Sequence, residues 1–313
     1  LNFFRVFFDL QKLIIKHKPK IVHAHLTTME LFGALLKYKL RNKFSLVVTK
    51  HLDSFFLEAS FGRKKFFRGI FIDKFIINKC DKVICISKQV KKYFKKKIPS
   101  QQKYKLIYYG FSTKDFKSSI NINKTLKDIK LKYKIRQKDI IFSNIARHVK
   151  QKSLDVLIKA YSIYAKKKKN SKLILVGKGP ETNSLKKLAF QLNINQNICW
   201  INNYEKIKDI FLLSDVFVLP SEYEGLGLVL LESMSSKTAI IASNTSAIPE
   251  LIKHNFNGLL FSKGNYQELA DKFKLIENFK IRKKFEKNGF NFLIKNFDLD
   301  KMNSLTEKVY HSI

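Results

Sequence analysis

Cysteine is scarce in this chain. Three occur in 313 residues, Cys80, Cys85 and Cys199. Their spacing offers neither a disulfide framework nor a metal-ligand set, which fits a reducing cytosol. No apolar run reaches the length of a membrane span, and no signal peptide is expected. The expected location is cytoplasmic, with the inner face of the cytoplasmic membrane as a peripheral site. Acids are also short: 25 Asp+Glu face 61 Lys+Arg, for a formal charge of +36. Alone, that excess would point to nucleic acid or anionic membrane. The basic residues, however, run through the whole chain instead of gathering in a tail or domain. Lys, Asn, Ile and Phe are abundant together, as in proteins from AT-biased genomes. Nucleic acid is therefore not an expected partner. An anionic membrane surface is retained as one, because Ser60–Ile76 and Lys88–Lys97 mix cations with aromatics. Core helices with a solvated basic face explain the same stretches. There is no P-loop, no metal-ligand cluster and no DxD-like acid pair at a strand end, so neither a metal nor a cofactor is expected.

What the chain does have is alternation. Short β-branched runs alternate with longer amphipathic ones, the pattern of βα units and a parallel sheet. Strands are expected at Lys20–Ala24, Ser45–Lys50, Lys82–Ile86 and Tyr104–Tyr108. Helices are expected at Phe3–Lys16, Thr28–Leu40, Lys64–Asn78 and Lys88–Lys97. The polar stretch Ser112–Lys127 shows no clear period and reads as an interdomain connection. A second series follows, with strands at Ile140–Ala146, Lys172–Val176, Ile198–Ile201, Val216–Leu219, Ala239–Ala242 and Gly258–Phe261. Its helices are Ser153–Lys167, Thr182–Leu192, Lys206–Leu213, Leu226–Ser236, Ala247–Lys253 and Gln267–Glu277, and the remainder is helical. The length suits two domains. The expected fold is α/β, with two Rossmann-like doubly wound domains facing across a cleft. Their expected limits are 1–115 and 116–290, with a helical segment at 291–313 crossing back to the first. Leu1–Lys18 reads as a helix from the middle of a protein, so the chain is expected to be an N-terminally truncated fragment.

One stretch stands out. Strand Val216–Leu219 ends at Pro220, and a turn, Gly225-Leu226-Gly227, opens an apolar helix between Glu224 and Glu232. Free amides at a helix start bind anions, and the two acids can hold hydroxyls. For an isolated acid pair, a capping role for Glu224 and a solvated Glu232 would be the simpler reading. Strand, glycines and acids together favour a site for a ligand carrying phosphate and sugar. Arg147 and Lys152 sit on the loop after strand Ile140–Ala146, where they can bind phosphate or be two more solvated cations. Gly177 and Gly179 form a turn after Lys172–Val176, either a nucleotide-approach loop or an ordinary tight turn. In the first part, His25 and His51 end strands and are even candidates for hydrogen bonding to a ligand. His23 is read as a satisfied structural residue.

These elements, in this order, resemble the retaining GT-B glycosyltransferases of family 4. The sequence PSEYEGLGLVLLESM, holding Glu224 and Glu232, resembles the family's Glu-x7-Glu signature. Ala146-Arg147 through Lys152 resembles its GR-x4-K element, and LILVGKGP its central strand and turn. Ser243 to Glu250 and Asn257-Gly258-Leu259-Leu260 resemble the segment after the signature helix, and the strands ending at His25 and His51 resemble acceptor-domain strands. The resemblance spans about residues 10 to 290. It implies a metal-independent hexosyltransferase that moves a sugar from a UDP-, GDP- or ADP-sugar to a glycan or lipid-linked acceptor with retention, in bacterial surface polysaccharide or lipopolysaccharide synthesis. Arg147 and Lys152 would neutralise the leaving diphosphate, and Glu232 would hold the ribose. Glu224 and the amides of Gly225, Leu226 and Gly227 would hold the donor sugar. His51 would lie near the transferred sugar, and His25, Gly177 and Gly179 would line the donor site. There are three departures. Ala146 replaces a usual Gly, Tyr109-Gly110 replaces Asn-Gly, and the family's first strand with its glycine-rich loop is missing. The alternatives are a GT-B nucleotide-sugar epimerase and a non-catalytic basic binder of membrane or polyanion.

Overall fold

The computed structural model describes residues 3–52, 63–100 and 103–313, with side chains from residue 69 onward in the helix that begins at Arg63. The chain forms two compact units, Leu1–Gly110 with Asp300–Ile313, and Phe111–Leu299. The first contains α1 (Phe3–His17), β1 (Ile21–His25), α2 (Thr27–Lys39), β2 (Ser45–Lys50), α3 (Arg63–Lys79), β3 (Lys82–Cys85), α4 (Lys88–Lys97) and β4 (Tyr104–Leu106). Its strands are all parallel and lie in the order β1-β2-β3-β4. Successive side chains point to opposite faces, so each strand serves two cores. Leu46 and Val48 of β2 join Val83, Cys85, Val90 and Phe94 on one face. Val47 joins Ile84, Ile107 and Val309 on the other, beneath the C-terminal helix.

The second unit continues with α5 (Ile122–Lys132), β5 (Ile140–Ile145), α6 (Leu154–Lys167), β6 (Ser171–Val176), α7 (Thr182–Gln191), β7 (Ile198–Ile201), α8 (Ile207–Leu213), β8 (Val216–Leu219), α9 (Leu228–Ser235), β9 (Ala239–Ser243), α10 (Ile248–Leu251), β10 (Leu259–Phe261), α11 (Tyr266–Ile276) and α12 (Phe279–Asn296). Helix α13 (Leu299–His311) returns the chain to the first unit. The sheet order is β10-β9-β8-β5-β6-β7, all parallel. Both faces are covered: Phe142, Leu173, Leu175, Val216 and Val218 enter one core, and Ile141, Ile174, Val176 and Cys199 enter the other. That explains the near-continuous apolar strands. The chain winds outward from β5 through β6 and β7, then restarts beside β5 with β8. The β5/β8 neighbourhood is therefore the switch point, where α/β sheets open a crevice at their carboxyl ends.

Several expectations need correction. Ser112–Lys127 is not an aperiodic connection throughout, since α5 starts at Ile122. Leu126 and Ile129 are spaced to share a helix face and pack against Ile135, Ile141 and Ile210. The surrounding Lys and Asn hid that stripe. The signature helix starts at Leu228, not Leu226, because Gly227 adopts φ +89° and caps it. The loop after β5 contains a short 3-10 turn, Lys150–Lys152. Position 290, an expected domain limit, falls inside α12. Part of the Ser60–Ile76 stretch lies outside the described residues. No described helix is long and apolar enough to cross a membrane.

If α5 docks as described, Ile129→Ala should destabilise the second unit by about 2–5 kcal/mol, the usual range for emptying a buried Ile site. Denaturant unfolding checks this. A midpoint shift equal to that of a surface Lys127→Ala control would mean that the helix is not packed.

Candidate functional site

The switch point brings two loops together. One leaves β5 and carries Ala146 to Lys152; the other leaves β8 and carries Pro220 to Gly227. Their backbones are tied directly: Glu222 N–H donates to the Gln151 carbonyl at 2.8 Å, and Gln151 Nε2 donates to the Tyr223 carbonyl at 3.0 Å. Just below, the buried Asn144 side chain donates from Nδ2 to the Val218 carbonyl at 2.8 Å, bridging β5 and β8. On this frame Lys152 Nζ meets Glu224 Oε1 at 2.6 Å. Glu224 is thus not the helix cap. It is the partner of the lysine that the sequence placed on the other loop. Arg147 is exposed on the same loop, with no ion-pair partner among the described residues.

Helix α9 begins beyond this pair. Its first turn has no side-chain cap. Among the described residues, the amides of Gly225, Leu226, Gly227, Leu228 and Val229 donate to no protein acceptor; the first amide that does is Leu230, to the Gly227 carbonyl at 2.9 Å. A run of unpaired N–H groups at a helix start carries positive potential. Glu232 lies about one turn along. Burial raises its carboxyl above the ordinary range.

Gly177 and Gly179 have a structural reason to be glycine. Gly177 has φ +126°, and a Cβ there would sit 2.1 Å from the Ala146 carbonyl oxygen. A Cβ on Gly179 would sit 2.3 Å from the His148 carbonyl oxygen. The two loops are crossed by hydrogen bonds from His148 N–H to the Lys178 carbonyl at 3.2 Å and from Glu181 N–H to the His148 carbonyl at 3.0 Å. These glycines let the turn after β6 seat the loop bearing Arg147. Beside it, Arg147, Gly177, Lys178, Asn202, Asn203 and Tyr204 line an open recess of about 550 Å³ at the ends of β5, β6 and β7.

The first unit holds a separate array. His25 Nδ1 lies 3.1 Å from His51 Nε2, and His51 Nδ1 lies 2.6 Å from the Tyr109 hydroxyl. If Tyr109 donates to Nδ1, His51 carries its proton on Nε2 and donates to His25. His23, read from sequence as structural, is fully engaged: Nδ1 with the Tyr310 hydroxyl and Nε2 with Thr49 Oγ1, each at 2.7 Å. Burial and the neighbouring His25 and His51 lower its pKa to about 4. Burial lowers those of His25 and His51 as well. Rings His23–His25 and His25–His51 are 4.3 and 5.3 Å apart. Asn144 and Gln151 were missed in the sequence, where a lone Asn or Gln in a Lys/Asn-rich chain carries no signal, and Tyr109 stood out only as a departure from Asn-Gly, with nothing to pair it with His51. The three cysteines are buried, with thiols pushed up to about 11, 12 and 11 by burial. Among the described residues no group of His, Cys, Asp or Glu could hold a metal ion.

The profile of the family described as Glycosyl transferases group 1 matches residues 126–292, and that of Glycosyltransferase Family 4 matches residues 1–115. An uncharacterised glycosyltransferase of Methanocaldococcus jannaschii is 31% identical over the whole chain, which spans 79% of that protein. The UDP-Gal:alpha-D-GlcNAc-diphosphoundecaprenol alpha-1,3-galactosyltransferase of Escherichia coli is 25% identical over 94% of the chain and 75% of its own length. The crystal structure of Anabaena HepE with UDP-glucose superposes with a TM-score of 0.86 at 19% identity, covering 98% of this chain and 82% of that one. The chain belongs to the group 1, family 4 glycosyltransferases and has their GT-B fold.

Two outcomes follow from these contacts. Gly179→Ala should lower the melting temperature of the second unit, because the clash is with backbone; an unchanged melting curve would contradict the crossing of the two loops. His23 has a depressed folded-state pKa, so its contribution to stability is present above 6.5 and lost as pH falls toward about 4. Thermal unfolding of wild type and His23→Gln across that window checks it: the wild type should lose stability more steeply than the variant.

Proposed function

We propose that this protein transfers a hexose, with retention and without a metal, from a nucleotide-sugar donor to a glycan or lipid-linked acceptor in surface-polysaccharide synthesis. The observation that carries this is the Lys152–Glu224 pair at the switch point, set between exposed Arg147 and the unpaired amides of residues 225–229. Arg147, Lys152 and the amides supply positive charge where a leaving diphosphate gains negative charge, the electrostatic role otherwise taken by a divalent ion. Glu224, already bound to Lys152, links that charge to the sugar: one carboxylate oxygen holds the lysine while the other accepts from a hydroxyl. Glu232 accepts from the ribose hydroxyls. The recess beside Gly177 and Asn202–Tyr204 takes the base. His51 takes the role toward the transferred sugar that the family resemblance implies, as a pair with His25, whose Nε2 is the ring nitrogen left outside the Tyr109–His51–His25 row. HepE's complex with UDP-glucose and the Escherichia coli relative's lipid-diphosphate acceptor support donor and acceptor classes of this kind. An anionic membrane surface fits helix α4, where Lys88, Lys92, Lys95, Lys96 and Lys97 are exposed and Val90 and Phe94 are buried.

The test is calorimetry with UDP-, GDP- and ADP-sugars, followed by NMR of the product in the presence of EDTA. One donor should bind, and the anomeric configuration should be kept. An isomerised free donor would instead establish an epimerase. Arg147→Ala should weaken donor binding roughly 10- to 100-fold, the value of a charge-assisted contact. Because an ionised Glu232 accepts from hydroxyls more strongly than a protonated one and its pKa is raised, affinity should fall on acidification at a pH above that of an ordinary carboxylate. Glu232→Gln should bind more weakly and lose that pH dependence; a retained dependence would remove Glu232 from the site.

A further inference from the structure

Beneath the histidine array, on the opposite face of β2, lies a cluster of buried charges. Lys50 is 4% exposed, Glu30 2% and Asp73 5%. Lys50 Nζ bonds Glu30 Oε2 at 2.5 Å and Asp73 Oδ1 at 2.7 Å, and it stands 5.2 Å from the Phe94 ring centre. Three charges in a core are poorly explained by stability, since apolar side chains of similar volume commonly hold helices together as well or better. What such a cluster provides is directionality: an ammonium can satisfy two carboxylates only where both helices present them correctly.

The three residues come from particular places. Lys50 is the residue before His51. Glu30 lies in the first turn of α2, five positions after His25. Asp73 is on α3, the helix that follows the segment beyond His51. Alternation puts Thr49 and His51 on the α13 face and Lys50 on the other, in agreement with Thr49 bonding His23 while Lys50 meets α2 and α3. Lys50 thus ties together the two strand ends that carry the His25–His51 contact.

We propose that Lys50, Glu30 and Asp73 are positioning residues that hold His25 and His51 in hydrogen-bonding register for sugar transfer. This rests on the reading of the His25–His51 pair as acting on the transferred sugar. The cluster acts through the backbone of β2 and the start of α2, and none of its members need touch substrate. The groups facing the pair on its own side are Tyr109, His23, Thr49 and, from α13, Tyr310 and Glu307, and Lys50 is the cation behind His51.

The experiment uses the full chain with ring-labelled histidines and follows the His25 and His51 titrations by NMR, beside the rate of UDP-glucose turnover. The variants are Glu30→Gln/Asp73→Asn and the charge-free triple that adds Lys50→Met, which keeps side-chain volume if the double variant does not fold. Loss of two anions would, by charge alone, lower the histidine midpoints. Loss of register exposes both rings and raises them toward the solution value. Positioning predicts a rise of half a pH unit or more at both rings in the double variant; in the triple the His25 midpoint is the readout, because removing the Lys50 cation raises His51 by charge alone, and in either variant turnover falls at least 10-fold with the KM for UDP-glucose unchanged. A folded variant with an unchanged or lowered His25 midpoint would overturn the proposal and leave the cluster a structural one. If wild type neither binds nor turns over UDP-glucose while the midpoints still rise, the donor reading fails and the positioning of the pair stands.

Discussion

The ion pair between Lys152 and Glu224 organises the second unit. Neither residue is remarkable by itself in a lysine-rich chain. They meet because β5 and β8 are neighbours at the switch point of the sheet, and because two further contacts, Glu222 to Gln151 and Gln151 to Tyr223, fasten the loops at backbone level. At 2.6 Å, with the Glu224 side chain 10% exposed, the pair is shielded enough for its geometry to be held against solvent. It also leaves the other cations of the loop, Arg147 and Lys150, exposed and outside the pair. Everything else placed near it extends this arrangement: glycines that let the third loop cross, unpaired amides at the start of α9, and a carboxyl on α9 kept from easy ionisation by burial.

The first unit is built on a different interaction, a hydrogen-bonded row of rings. His25, His51 and Tyr109 form one chain, and Tyr310, His23 and Thr49 form another beside it. A contact between two imidazole nitrogens requires one to donate and one to accept. It is stable only while the pair is not doubly charged, and the lowered pKa values of both rings agree with that. Helix α13 closes the row through Tyr310 and inserts Val309 and Met302 against Val47, Ile84 and Ile107. The C-terminal helix is thus part of the first unit's histidine environment.

Much of this was legible in the sequence. Apolar runs bounded by glycine or polar turns placed nearly every strand of both sheets, because parallel strands buried on both faces leave a continuous apolar record. The order of Arg147, Lys152, Glu224 and Glu232 led to the family. Pairings were not legible. The Lys152–Glu224 contact depends on strand order, and 72 residues separate its partners, a distance no local pattern spans. The same holds for Tyr109 with His51. Gly227 shifted the start of α9 by two residues because its positive φ made it the cap. Helix α5 was lost because its apolar stripe is thin and set among lysines and asparagines. The Lys50 cluster gave no sign at all, as buried and solvated charges look alike in sequence.

The most direct test is to add UDP to isotopically labelled protein and map the backbone amide shifts. The switch-point site predicts that the perturbed amides fall on residues 146–152, 177–179, 202–205 and 224–232, with the largest changes at 225–229, where the amides have no protein acceptor. Saturable shifts confined to other surfaces, such as the recess lined by Val156, Ser184, Leu188 and Gly264, with 225–229 unmoved, would contradict it.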